Sequence, residues 1–262
     1  MKNKYTQVDV LKMELDPAYF MEIAFNVVPD KWQKKLLRDT PDKSLLLCSR
    51  QSGKSTVSAV MALYNAIFKI DSLVLIVAKA RRQALELFRK VRDGLELVIS
   101  LGIVNIKYET QSSIEFSNKS RIVAIPGKQD TIRGYSKVSF LLLDEAAFIP
   151  DDVYAAVRPM LAVSKGKIIA MTTPYGKRGW FFRAWDGDSD WTRISITASD
   201  CPRITNEFIN NEIEEIGDWR VRQEYMCEFI DAEDQLFSYD DLMESITYDV
   251  EAWVERGMLC MG

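Results

Sequence analysis

The sequence predicts an α/β protein with a mostly parallel central sheet flanked by helices on both faces. Short, continuously apolar runs of strand length alternate with stretches whose apolar residues recur at helical spacing. The loop Cys48-Ser49-Arg50-Gln51-Ser52-Gly53-Lys54-Ser55 joins one such run to the helix that follows. Another run, Phe140-Leu141-Leu142-Leu143, ends in the carboxylates Asp144 and Glu145.

Residues 1 to 15 are polar and aperiodic and are expected to be loose. From Pro17 to about Asp39 the spacing predicts a helix in two pieces, broken at Pro29. The first piece carries Phe20, Ile23, Ala24 and Val27 on one face, and the second carries Trp32, Lys35 and Leu36. Ser44 to Cys48 reads as a strand, and beyond the loop Val57, Val60, Met61, Tyr64, Ile67 and Phe68 mark one face of a helix. Ser72 to Ala78 is a second strand, and residues 80 to 100 form a helix with Arg81, Arg82, Arg89, Lys90 and Arg92 on its polar face. Weaker strands are expected at Ile114 to Phe116 and Ile122 to Ile125. Then come a strand at Val138 to Leu143, a helix at Asp152 to Leu161, a strand at Lys167 to Met171 and one at Thr192 to Thr197. After Glu228 the chain turns acidic and irregular and reads as a linker or edge element.

The 262 residues suffice for one such domain with a small appendage. With 47% hydrophobic and 27% charged residues, a disordered chain, a collagen-like repeat and a coiled coil are excluded. The absence of histidine removes Ser-His-Asp and Cys-His triads, HExxH zinc sites and any imidazole base. Acid–base chemistry falls instead to carboxylates, lysines, tyrosines or metal-bound water. Cys48, Cys201, Cys227 and Cys260 form no CxxC pair, which argues against zinc and redox motifs and fits a reduced compartment. No apolar run of about 18 residues and no signal-peptide core occurs, so a soluble, cytosolic protein is expected. A net charge of −4 argues against a static DNA coat, but leaves room for a motor that touches nucleic acid through a local patch.

The loop matches GxxxxGK[ST], with Cys48 in place of the first glycine. A strand feeding a tight loop and a helix N-terminus presents backbone N–H groups to an anion. Lys54 is placed to reach β/γ-phosphates and the Ser55 hydroxyl to ligate magnesium. Asp144 and Glu145 stand at the carboxyl end of their strand, where open α/β sheets bind ligands. Asp144 is expected to hold magnesium through water and Glu145 to polarise an attacking water. Alone, such a pair is as well explained as a helix N-terminal charge pair. Thr172-Thr173, before Pro174, is a candidate γ-phosphate sensor or a plain turn. Gln33 of Trp32-Gln33 can pair with an adenine edge, although a tryptophan there serves equally as core. The basic run Lys79, Arg81, Arg82, Arg89, Lys90 and Arg92 is read first as a solvated helix face, with phosphate contact as the alternative.

The ordered combination WQ, SRQSGKST, TIRGYS, LLLDEAA and TTPYG resembles the large terminase subunit of tailed bacteriophages over about residues 17 to 230. The resemblance implies an additional-strand (RecA/ASCE-like) P-loop NTPase fold that uses ATP and Mg²⁺ to drive double-stranded DNA into a procapsid. Nothing in the chain resembles a base-reading helix, so DNA binding without sequence specificity is expected. It implies a homo-oligomeric ring on the portal protein, a small terminase subunit as partner, and action in the host cytoplasm at the portal. The state of the isolated chain, monomer included, is left open. By position Gln33 falls on the adenine motif, and Ser49, Arg50, Gln51, Ser52, Gly53, Lys54, Ser55 and Thr56 on Walker A. Asp144 and Glu145 fall on Walker B and its catalytic glutamate, Thr172 and Thr173 on the coupling motif, and Arg50 on a phosphate-contacting arginine in cis. Arg133, beside Gly134 before the Walker B strand, is the candidate finger for a neighbour's site, with Arg178 competing.

These readings give a P-loop ATPase domain over residues 1–235, its first 40 residues forming a helical, adenine-binding segment. Residues 236–262 are expected to be a linker and the start of a nuclease strand cut before its aspartate, so nuclease activity is not expected. A helicase-type ATPase is the alternative, although the chain beyond Thr173 is too short for a second RecA-like domain. A nucleotide binder without turnover would have no use for Glu145.

Overall fold

The computed structural model describes residues 5–230 and residue 245. The expectations for residues 236–262, the nuclease strand included, lie outside the described residues.

Residues expected to be loose form a helix, α1 (Gln7–Leu15). Thr6 and Asp9 cap it reciprocally: the Thr6 N–H donates to Asp9 Oδ2 at 2.8 Å and the Asp9 N–H to Thr6 Oγ1 at 3.3 Å. Met13 is its one fully buried anchor, so the cap and tertiary contact carry a helix whose own periodicity is too weak to read. α2 (Pro17–Ala24) starts with Asp16 accepting the Ala18 N–H at 2.9 Å and proline at the first turn, where a missing N–H costs nothing. α2 ends before Val27, which is exposed rather than on its inner face. α3 (Lys31–Arg38) buries Gln33, Leu36 and Leu37 and leaves Lys35 in solvent, so its inner face is turned by one residue from the predicted one.

The alternation then runs β1 (Lys43–Cys48), α4 (Lys54–Phe68), β2 (Leu73–Ala78), α5 (Arg81–Ser100), β3 (Ile106–Glu109), β4 (Ser113–Phe116), β5 (Arg121–Pro126), α6 (Gln129–Ile132), β6 (Phe140–Asp144), α7 (Asp151–Ala162), β7 (Lys167–Thr172), α8 (Gly179–Asp186), β8 (Thr192–Ile196), α9 (Asn206–Ile216) and α10 (Asp218–Glu224). The strands form one sheet of eight, ordered β3-β4-β5-β2-β6-β7-β1-β8. Pairs from β5 through β8 are parallel, whereas β3 and β4 form an antiparallel edge.

Successive strand residues point to opposite faces, so a sheet covered on both sides needs every position apolar. Leu46, Val74, Ile76, Leu142 and Ile169 pack under α2, α4 and α5. Leu45, Leu47, Leu75, Val77, Leu141 and Ala170 pack on the other face under α7 and α8. This explains the unbroken apolar runs. The register sets Leu47 beside Thr172, Met171 beside Asp144, and Asp144 beside Ala78, bringing the carboxyl ends of β1, β7, β6 and β2 to one edge of the sheet. No helix among the described residues is long and apolar enough to cross a membrane.

Candidate nucleotide site at the carboxyl edge of the sheet

β1 ends at Cys48, fully buried, and the chain turns through a loop pinned to its neighbours. The Ser49 N–H donates to the Ile196 carbonyl of β8 at 2.8 Å, and the Arg50 N–H to the Glu224 carbonyl of α10 at 2.9 Å. Gln51 (φ 57°) and Gly53 (φ 92°) are left-handed, which compresses the loop so that α4 starts at Lys54. Helix first-turn N–H groups lack intrahelical acceptors, so α4 opens with donors and the positive end of its dipole at the loop. Arg203 closes the loop from behind. Its guanidinium grips the Asp30 carboxylate at 3.0 and 2.6 Å and reaches the Ser52 carbonyl at 3.2 Å.

Across the sheet edge the Lys54 ammonium pairs with Glu145 Oε1. Burial disfavours the Lys54 charge, but Glu145 and Asp144 together outweigh it and hold its pKa above the ordinary lysine value. Glu145 is left-handed (φ 52°, ψ 47°), an uncommon state for a non-glycine residue, and that turn aims its carboxylate back at the loop. Asp144 is buried, and burial, with Glu145 adding to it, pushes its pKa up. Its Oδ1 is buried with no hydrogen-bond partner. A buried, unpaired carboxylate oxygen is costly, and a hydrated cation would satisfy it. Among the described residues no group of three or more His, Cys, Asp or Glu could hold a metal. Asp144 and, at the opening of α4, Ser55 are the residues that would hold magnesium shared with substrate phosphates.

Arg50, Gln51, Lys54, Glu145 and Thr173 line one cavity of about 660 Å³. Thr172 lies behind it, fully buried, its hydroxyl donating to the Thr173 carbonyl at 2.7 Å. Ser49, Ser52, Gly53, Ser55 and Thr56 shape the loop and the opening of α4 without lining the cavity. Gln33 is brought to the loop's back rather than into the cavity: it is 2% exposed and its Oε1 accepts the Asp30 N–H at 2.9 Å. A Cβ at Gly53 would lie 2.7 Å from Gln33 Nε2. The Gln33 amide thus braces the loop, and its carbonyl is committed to the α3 cap.

Arg133 lines a different groove, with Tyr135, Asp152 and Pro159, and is not brought to this cavity within one chain. Arg178 stacks over Tyr175, 4.6 Å from the ring centroid, and Tyr175 does line the cavity. Sequence reasoning misses Lys79, Phe148, Tyr175 and Glu224 as cavity residues. It groups Lys79 with the α5 charges, most of which do face solvent. Tyr175 immediately follows Thr172-Thr173-Pro174, the one local signal available. Glu224 has none, standing 174 residues from Arg50. A larger groove of about 910 Å³ opens beside Lys43, Gly166 and Trp191, at the amino ends of the strands, and holds none of the motif residues.

A family profile described as "Terminase large subunit, T4likevirus-type, N-terminal" matches residues 45–243. The chain belongs to this family. It is 24% identical over 257 residues to the terminase large subunit of Thermus virus P23-45, covering 84% of this chain and 53% of that protein. The chain thus spans about half the length of the curated relatives it matches. In three dimensions it resembles the large terminase ATPase domain of Thermus phage P74-26, with a TM-score of 0.72 at 22% identity, covering 82% of this chain and all of that one. A large terminase from a thermophilic bacteriophage, solved in complex with ATP-γ-S, superposes with a TM-score of 0.59 at 16% identity over 77% of this chain and 53% of that one. The fold is therefore that of the terminase P-loop domains, as the sequence predicted. The helicase-type alternative finds no support in these similarities.

Proposed function

We propose that this terminase-family chain hydrolyses ATP at the cavity between the Walker A loop and Glu145, and that the hydrolysis drives double-stranded DNA into a procapsid. The observation that carries the reading is the convergence of Lys54, Arg50 and Glu145 on one cavity beside the unpaired Asp144 Oδ1. The phosphate chain of ATP binds the loop N–H groups and displaces Lys54 from Glu145, because a polyphosphate outcompetes one carboxylate for the ammonium. Glu145, released, takes the proton of the attacking water. Ser55 and Asp144 would hold magnesium, which when bound neutralises phosphate charge. Thr173, at the cavity wall, senses the γ-phosphate and Thr172 relays it to β7. Gln33 and its brace on Gly53 border the adenine side. Arg133 serves the site of a neighbouring copy in a ring, and the ring engages the portal, the small terminase subunit and DNA phosphates in the host cytoplasm.

Two substitutions test the site. Lys54→Ala should abolish ATP binding in a folded protein, and Glu145→Gln should keep binding while phosphate release falls by roughly 10²–10⁴-fold. Parental ATP affinity in Lys54→Ala, or parental turnover in Glu145→Gln, would remove the assignment.

A further inference from the structure

Arg50 is held by one residue in two ways. Its backbone N–H donates to the Glu224 carbonyl at 2.9 Å. Its guanidinium meets the Glu224 carboxylate side-on, Nε–H to Oε2 and Nη2–H to Oε1, the latter at 3.0 Å. Both residues line the cavity that holds Lys54 and Glu145. The Glu224 side chain is 21% exposed and that of Arg50 62%, so the carboxylate is the fixed partner and the arginine the projecting one. Glu224 also holds the Arg50 pKa above its ordinary value through that hydrogen bond.

Side-on pairing has a geometric consequence. A guanidinium is a rigid planar fork, and a carboxylate on its Nε/Nη2 edge leaves both hydrogens of Nη1 and the outer hydrogen of Nη2 for a second anion. Arginine has several rotatable bonds, and an exposed one would otherwise sample many rotamers before a phosphate found it. The grip from α10 removes that search while sparing the end of the fork.

We propose that Glu224 is the positioning residue for Arg50, orienting its free guanidinium edge toward the transferred phosphoryl group. The proposal rests on the reading of this cavity as an ATP site. Glu224 touches no substrate and acts through Arg50 alone. A purely structural role would instead be to dock α10 on the loop, for which the backbone bond already suffices.

The distinguishing experiment is a double-mutant cycle in single-turnover ATP hydrolysis, with KM and melting temperature measured alongside. Glu224→Gln keeps the size of the side chain and removes its charge. It should lower the hydrolysis rate about 10- to 100-fold, the scale set by misplacing a catalytic group, with KM for ATP changed less than about twofold. In an Arg50→Ala background the same substitution should change nothing further. A parental rate for Glu224→Gln, or an equal fold-loss with and without Arg50, overturns the proposal. Lys54→Ala, measured in parallel, separates the two failures. If it loses ATP while Glu224→Gln runs at the parental rate, the positioning role alone falls. If it keeps ATP, the site reading falls and the positioning role with it.

Discussion

Asp16 shows how one side chain serves two purposes and how pH separates them. Its Oδ1 caps α2 through the Ala18 N–H, and both oxygens meet Arg38, at 3.0 and 2.6 Å. The Arg38 hydrogen bond first, and the Ala18 N–H after it, hold the Asp16 pKa below the ordinary carboxylate value despite some burial. A carboxylate with a depressed folded pKa contributes stability that is present above its unfolded pKa and lost as pH falls through the folded one. Asp16→Asn keeps an oxygen for the cap and loses the charge. A neutral-pH deficit of about 0.5–1 kcal/mol is expected, a modest value because the pair is partly solvent-exposed. In urea melts the deficit should shrink steadily as pH drops below about 4. A deficit that is constant with pH would mean the cap or the packing, not the ion pair, carries the effect.

Glycines distinguish elements that are tightly docked from those that are not. Gly166 follows α7 and leads into β7, and its N–H donates to the Leu161 carbonyl at 3.2 Å. A Cβ there would stand 2.1 Å from the Val138 carbonyl oxygen and 2.9 Å from Leu161 Cδ2. The first of these is backbone and cannot swing aside, so Gly166→Ala must shift the α7–β7 turn or the entry to β6. A loss of about 1–3 kcal/mol is expected. Gly134 has open space around its Cα and no positive φ, so Gly134→Ala should be neutral or stabilise by about 0.4–1 kcal/mol through the unfolded chain. Paired denaturant melts of the two variants check this, and similar losses in both would show that the Val138 approach does not govern the turn. Gly134 also bears on the loop beside Arg133. A glycine there suggests flexibility in the sequence, but this conformation does not draw on it.

Across the whole molecule, the separation of Arg133 from the proposed nucleotide cavity is the fact with the widest consequence. Arg133 ends α6, its Nη2 within 3.5 Å of Gln129 Oε1, on a groove walled by α7. A cation there cannot stabilise phosphoryl transfer in its own chain unless α6 moves. In the proposed ring it would meet the site next door, where an arginine finger is worth roughly 10³–10⁵ in rate. Arg133→Ala and Glu145→Gln chains, each inactive alone, should therefore regain some turnover when mixed, at sites that combine an intact Glu145 with a neighbour's intact Arg133. Mixed assemblies, verified by cross-linking, that stay inactive would favour Arg178, which already stands over the cavity's Tyr175 in the same chain.

The sequence by itself determined the parallel core of the sheet and the place of the loop between β1 and α4, because both are local. Unbroken apolar runs at β1, β2, β6 and β7 demand burial on two faces, and Gly53-Lys54-Ser55 after a strand turns the chain into a helix whose first backbone N–H groups open at the loop. Asp144 and Glu145 were legible for the same reason, standing at the end of an apolar run. Elements stabilised by contacts distant in sequence were not legible. α1 depends on burying Met13, and β3, largely exposed at the antiparallel edge, gains its order by pairing with β4. α9 and α10 pack through Ile209, Val221 and Tyr225, too few anchors to show a period. Tertiary structure alone decided that Gln33 braces the loop from behind, that Lys79 joins the cavity while the rest of its charge run does not, and that Glu224 grips Arg50. Periodicity reports which residues a neighbour will bury. Which neighbour that is depends on sheet order and helix docking, and those are fixed only when the β1, β6 and β7 edges meet in three dimensions.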